Sequence, residues 1–358
     1  MKAYALLLAA FAGAAALASA AAAVRSFDEV AEGPIGGTWS AEPTTLKAAA
    51  GRGPFVELSL HRGRGSHTST NQHPVALADL KGLTADQMAG DGTTVAFSLE
   101  RDAGRLAFEG TFRRGEGAGH FTFTPRPEFV AAMRGLGYAD LDDEKLYSMA
   151  VLDVSRDFVR ELDQLGYSRL SLDQLLSLKI HGAEPAFIRE MKGLGYEHLA
   201  VDDLVSLRIH GATPEFVREL QSLGYRHLTA EELVSLRIHG ATPEFVREMQ
   251  SLGRGRPTAE DLVSLRIHGA TPEFVRQVKD LGYDHLGSEE LVSMRIHGVS
   301  PEFIKELKGL GYDHVSVEDL VSMRIHGVSP EFVRRVQAES GPVSIDRLVE
   351  MRIHGKER

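Results

Sequence analysis

From about residue 127 onward, this 358-residue chain repeats itself every 29 residues. One copy, Pro214 to His239, reads PEFVRELQSLGYRHLTAEELVSLRIH. Phe158, Phe187, Phe216, Phe245, Phe274 and Phe303 hold one interval (187 − 158 = 29), and His181, His210, His239, His268, His297 and His326 hold the same one. A fixed period of this size is the mark of a stacked repeat array.

The chemistry of one copy predicts two short helices. Thr213 is placed as N-cap and Pro214 as the first helical residue, where a missing N–H costs nothing. Phe216, Val217, Leu220 and Leu223 share a face at helical spacing. Gly224 supplies the left-handed residue that stops the helix, and Tyr225 and Leu228 fill the corner. Thr229 with Glu232 opens the second helix as a capping box. Leu233, Val234, Leu236 and Ile238 are expected to form its apolar face, and Gly240 closes it. One such hairpin buries too little to offset its own ordering entropy, so neighbours must share a core.

Eight units begin near Pro127, Arg156, Pro185, Pro214, Pro243, Pro272, Pro301 and Pro330. The end units depart from the pattern, as caps do. Leu152-Asp153 replaces His-Gly in the first, which is expected to abut the preceding domain, and the last is one residue shorter near Gly341-Pro342. One internal unit departs too. Leu252-Gly253-Arg254 replaces Leu-Gly-Tyr, and Arg256-Pro257 replaces His-Leu. A looser joint or a local contact point is expected at Arg254 and Arg256.

Ahead of the repeats the apolar period is two. Val56, Leu58 and Leu60 alternate with Glu57 and Ser59, and Val95, Phe97 and Leu99 follow the same rule. Leu106, Phe108, Gly110 and Phe112, then Phe121 and Phe123, continue it. These are half-buried antiparallel strands. Asp102-Ala103-Gly104 and Gly115 to Gly119 are expected hairpin connections, and Thr84 to Gln87 a capping box. The expected class is α+β with two domains: a small antiparallel all-β domain at 37–125, then an αα-hairpin solenoid of about eight repeats at 126–358.

Met1-Lys2, an apolar run from Ala3 to about Ala16 and Ala18-Ser19-Ala20 have the form of a secretory signal peptide. Residues 1–20 are expected to be removed (Ala23 is the alternative cut), with 21–36 a linker. No later stretch reaches the ~18 apolar residues that span a bilayer. An exported protein, periplasmic or secreted, is therefore expected, with no membrane span in the mature chain. There is no cysteine, so disulfides and thiolate chemistry are excluded. A formal charge of −10 argues against a general nucleic-acid binder.

The repeated residues are candidates for binding rather than catalysis. Stacked helices lie ~8–10 Å apart, whereas a zinc–nitrogen bond is ~2 Å, so equivalent histidines of neighbouring repeats cannot share an ion. Arg208 with His210, Arg237 with His239, Arg266 with His268, Arg295 with His297 and Arg324 with His326 form a candidate binding ridge. Its competing role is local: to complement the helix dipole and pair with surface acids. The corner histidines His198, His227, His285 and His314 form a second series. In the β domain, His61, His67 and His73 are expected in a flexible polar loop, and with His120 they are the candidates for an enzymatic alternative. No catalytic, cofactor or metal-binding residue is assigned. Walker, Gly-x-Ser-x-Gly and His-Glu-x-x-His patterns do not occur.

The Pro-Glu-Phe openings and Leu-Arg-Ile-His-Gly closes over about 127–355 resemble the short αα-repeats of bacterial envelope proteins, some attached to antirepressor-type membrane metallopeptidases. The resemblance implies a solenoid and nothing catalytic. The expected function is an exported, non-enzymatic scaffold for a protein or peptide partner in the cell envelope. The alternatives are an enzyme with its site in the β domain or at its junction with the first repeat, and a binder of anionic envelope polymer along the Arg/His ridge.

Overall fold

The computed structural model describes residues 35–44, 54–64, 67–253 and 255–355. The signal segment, most of the linker, Arg254 and the last three residues lie outside them. Contacts divide the chain into two compact units, one ending at Pro185 and the other beginning at Ala186. A seven-stranded antiparallel sheet is followed by sixteen helices in series, so the fold is α+β with helical repeats.

The sheet comprises β1 (Gly36–Pro43), β2 (Phe55–Arg64), β3 (His67–Ala76), β4 (Leu80–Lys81), β5 (Asp91–Glu100), β6 (Gly104–Arg113) and β7 (Glu116–Pro125), in the order β3-β2-β1-β7-β6-β5-β4. Thus β1, at the edge of the expected linker, is central, hydrogen-bonded to both β2 and β7. It delivers Trp39, 1% exposed, to the core. The indole meets Phe97 edge-on at 5.2 Å and donates from Nε1 to the Glu109 carbonyl at 3.1 Å. Phe97 stacks on Phe108 at 4.7 Å, extending one aromatic cluster along the inner face.

Two expectations in this region are overturned. Of the Gly115–Gly119 run only Gly115, with Arg114, is turn, while Gly117 and Gly119 are β7 residues paired to β6. Their lack of side chains is what the packing needs. A Cβ on Gly117 would lie 2.5 Å from the Phe112 ring, one on Gly119 1.9 Å from the Glu109 carbonyl oxygen, and one on Gly110 2.7 Å from the Trp39 ring. The segment from His61 to His73 is likewise no loop. It is the β2–β3 hairpin, in continuous register from Phe55↔Ala76 to Arg64↔His67. The expected capping box is present: Gln87 N–H donates to Thr84 Oγ1, and Thr84 N–H to Gln87 Oε1.

The first repeat packs on this sheet. Its second helix, Asp143–Val151, sets Tyr147 against Phe121 and Phe123 at 6.0 and 5.7 Å. Arg62 reaches Glu144 through two hydrogen bonds, 2.7 and 2.8 Å, and lies over the Tyr147 ring. Burial pushes the Tyr147 hydroxyl up to about 12. At the start of the second repeat, the Arg156 backbone N–H, Nε and Nη2 all donate to Asp102 in the β5–β6 turn, at 2.8, 2.8 and 2.6 Å.

In the other unit the repeat chemistry expected from the sequence recurs copy after copy. The helices are mostly nine residues long, such as Pro214–Ser222 and Ala230–Ile238. Isolated helices of that length are marginal, so packing must hold them. Thr213 and Thr229 cap as expected. Gly224 (φ +96°) and Gly240 (φ +69°) are left-handed C′ residues. Tyr225 N–H donates to the Leu220 carbonyl and Gly224 N–H to that of Gln221, a Schellman closure.

First helices stack on first helices and second on second. Four kinds of contact cross the joints. Gln221 Nε2 donates to the Leu194 carbonyl at 2.9 Å, as Gln250 and Gln337 do to Leu223 and Leu310. Corner tyrosines donate forward, Tyr225 to Pro257 O at 2.6 Å and Tyr283 to Val315 O at 2.7 Å. Arg218, Arg276 and Arg334 of the first helices bond Glu190, Glu248 and Glu306 of the preceding repeat. The fourth contact is made by the arginine of Arg-Ile-His.

Candidate functional site

The second helix of each unit ends in the repeated Arg-Ile-His. Within Ala186–Arg358 the arginines are 208, 237, 266, 295, 324 and 352. Each guanidinium lies over the phenylalanine that opens its own repeat or, at the end of the array, the corresponding Phe332; Arg237 sits 4.9 Å from the Phe216 centroid and Arg352 4.7 Å from that of Phe332. Arg237, Arg266, Arg295, Arg324 and Arg352 also reach the closing glycine of the repeat before them. A Cβ on Gly211 would lie 3.3 Å from Arg237 Nη2, and Arg352 Nε donates to the Gly327 carbonyl at 2.9 Å. Arginine therefore bridges a π face in its own repeat and the C-terminal, electronegative end of a helix in the preceding one. Among the described residues none of these six has a carboxylate partner. Lys179, the equivalent in the first unit, does: it pairs with Glu184 at 3.2 Å and lies over Phe158.

The histidines turn back along their own helices. His239 Nδ1–H donates to the Ser235 carbonyl at 2.9 Å, and His326 Nδ1–H to that of Ser322 at 2.8 Å. His210, His268 and His297 occupy the same C-cap position. Among the described residues no group of three or more histidines and carboxylates is placed to share a metal ion.

The isoleucine between them is a correction. Ile238, expected on the apolar face with Leu233 and Leu236, faces solvent. Leu233 and Leu236 are 0% exposed, whereas Ile180, Ile209, Ile238, Ile267, Ile296, Ile325 and Ile353 are all between 51% and 58% exposed. The signal was available in the helical period: at ~100° per residue, Ile238 stands ~200° from Leu236. In the first repeat the equivalent residues are Ala150-Val151-Leu152, and there Ala150 and Val151 are 0% and 5% exposed. That helix is the one packed on β6 and β7.

The irregular corner does not open the joint before it. Arg256 Nη1 donates to the Gly224 carbonyl at 2.7 Å, and Pro257 accepts from Tyr225. The substitution exchanges a side-chain plug for a second inter-repeat hydrogen bond. Arg254 lies outside the described residues. A shallow cleft of about 520 Å³ at the Tyr196–His227 corner holds Asp203 and Glu231 as well, and the Tyr196 hydroxyl, pushed up to about 12 by burial, has no hydrogen-bond partner there.

On the sheet, His61 Nε2 is 3.3 Å from Ser40 Oγ and its Nδ1 3.1 Å from Thr70 Oγ1, across β1, β2 and β3. A threonine at Nδ1 orients the ring but supplies no negative charge to stabilise an imidazolium. His73 faces the other way, opposite Leu58 in register. Burial and the positive charge of Arg101 hold its imidazole below the ordinary value, and Nε2 has no partner. His120, exposed on β7, stands across from Glu109 and Thr38. The strand register thus sets His61 and His120 on one face, on either side of Thr38, and His73 on the opposite face. The side chain of His67 lies outside the described residues.

No family model matches the chain, and no curated protein matches it. Among the described residues no helix is long and apolar enough to cross a membrane.

Proposed function

We propose that this protein is an exported, non-enzymatic scaffold that binds a protein or peptide partner of the cell envelope along the Arg-Ile-His row of its repeats. The observation that carries the reading is the run of half-exposed isoleucines from Ile209 to Ile353, each next to an arginine without a carboxylate partner among the described residues. A large apolar side chain left open at one position in successive repeats is what a recognition surface presents. The signal-like N-terminus and the resemblance of the units to envelope repeats support export.

Deleting three whole repeats, residues 214–300, joins Thr213 to Pro301 in register. The expected result is loss of partner capture from envelope extract, with helicity per residue unchanged by circular dichroism. Undiminished capture would move the binding surface off the repeats, and the Ser40–His61 pair of the sheet would be the next place to test.

A further inference from the structure

We propose that the row seats an extended acidic peptide in which a carboxylate recurs every third residue beside an apolar side chain. The inference rests on the row being the binding surface and adds what the ligand must be.

Charge is the first argument. Arg218, Arg276 and Arg334 on the first helices are neutralised by glutamates, but the six arginines of the row lie over a ring, five of them also beside the closing glycine of the preceding repeat, with no carboxylate partner among the described residues. Each is held by those contacts with its side chain exposed. A carboxylate arriving there meets a pre-positioned cation that loses little freedom on pairing.

The first repeat shows what the same helix position becomes when it is covered. Under β6 and β7, and alongside Phe121 and Phe123, the triplet is Ala-Val-Leu, with no charge. An apolar cover selects an apolar triplet. Where the triplet is Arg-Ile-His, a complementary cover carries both an apolar group for isoleucine and an anion for arginine.

Spacing selects the conformation. Packed helices are ~8–10 Å apart, and a polyproline-type strand advances ~3.1 Å per residue, three residues per turn, or ~9.3 Å. One turn of such a peptide therefore matches one repeat. An α-helical ligand returns the same face every ~5.4 Å and falls out of phase at once. A flat anionic bilayer fits less well, because the first turn of each second helix is acidic (Glu231 and Glu232 in one copy) and the chain carries −10 overall.

The test uses the full chain and a fluorescent peptide of six Pro-Asp-Leu triplets, read by anisotropy. The controls are a peptide of equal composition with the aspartates clustered, and phosphatidylserine vesicles. The variant carries Ile209→Gln, Ile238→Gln, Ile267→Gln and Ile296→Gln together, with leucine at the same positions as the conservative set. The periodic peptide is expected to bind about tenfold or more tighter than the clustered one. The glutamine set loses about tenfold or more with its melting midpoint unmoved, and the leucine set retains binding. Binding weakens as salt is raised. Equal binding of the two peptides, indifference to the glutamine set, or binding to vesicles but not to the periodic peptide would overturn the inference. If the peptides fail while deletion of residues 214–300 still abolishes partner capture, the peptide chemistry is wrong and the scaffold reading stands. If that deletion leaves capture intact, the scaffold reading is what has failed.

Discussion

Gly240 is a C′ residue at φ +69°, and a Cβ there would come within 3.2 Å of Arg266 Nη2. Gly240→Val is expected to cost more than about 1 kcal/mol, since a β-branched residue resists positive φ, measured by urea denaturation. Arg237→Ala removes the bridge between Phe216 and the preceding glycine and is expected to cost about 0.5–1 kcal/mol. Ile238→Gln, two residues from Leu236 but facing solvent, should stay within about 0.5 kcal/mol of the parent. A large loss for Ile238→Gln would mean that the side chain is covered. Asp102 gives a pH signature. Burial works against its ionised form, but the hydrogen bonds and charge of Arg156 outweigh it and hold the carboxyl below the ordinary value. Its folded-state value is thus depressed, so the stability it adds is present above the unfolded carboxylate value, ~3.9, and is lost as pH falls through the folded one. Asp102→Asn should be less stable than the parent at neutral pH, with the gap closing in acid. A gap independent of pH down to acid unfolding would contradict the assignment.

Helix ends were legible because caps are local chemistry. Thr213, Pro214, Gly224 and Gly240 act over three or four residues, and all four sit where their residue types require. Strands were less so. Gly115 to Gly119 reads as a turn from composition, yet Gly117 and Gly119 are paired in β7 because aromatic rings and neighbouring backbone leave no room for a Cβ. That reason lies across the hairpin on β6, at Phe112 and Glu109, and is set by strand register rather than by composition. Gly119→Ala is accordingly expected to destabilise the sheet by about 1–3 kcal/mol through overpacking, read from the loss of Trp39 fluorescence change at lower denaturant. The histidine-rich segment failed for the same reason: its polar alternation looked like a loop, and pairing of β2 with β3 turned it into a hairpin that points His61 outward and His73 inward.

In the array, each joint repeats the same bridges, so stability should follow the number of joints. Removing two repeats, residues 272–329, is expected to lower the urea m-value roughly in proportion to the surface no longer exposed on unfolding. An m-value that ignored the deletion would mean that those units do not unfold with their neighbours. The irregular corner belongs to this scale too. Arg256 strengthens the joint with the preceding repeat rather than loosening it, so Arg256→Ala should weaken that joint by about 1 kcal/mol, seen as lower amide protection at Gly224–Tyr225 in hydrogen exchange.

By itself the sequence determined the period, the paired helices and their stops, because propensity and capping are settled within a few residues. It also marked which triplet every repeat repeats. Only the tertiary structure decided that β1 lies mid-sheet with Trp39 at its core, that Ala150 and Val151 are covered while the isoleucines stand open, and that Arg237 is held by the ring of Phe216 and by Gly211 of the preceding repeat. Those outcomes depend on which surfaces meet, and no local pattern encodes the surface on the other side.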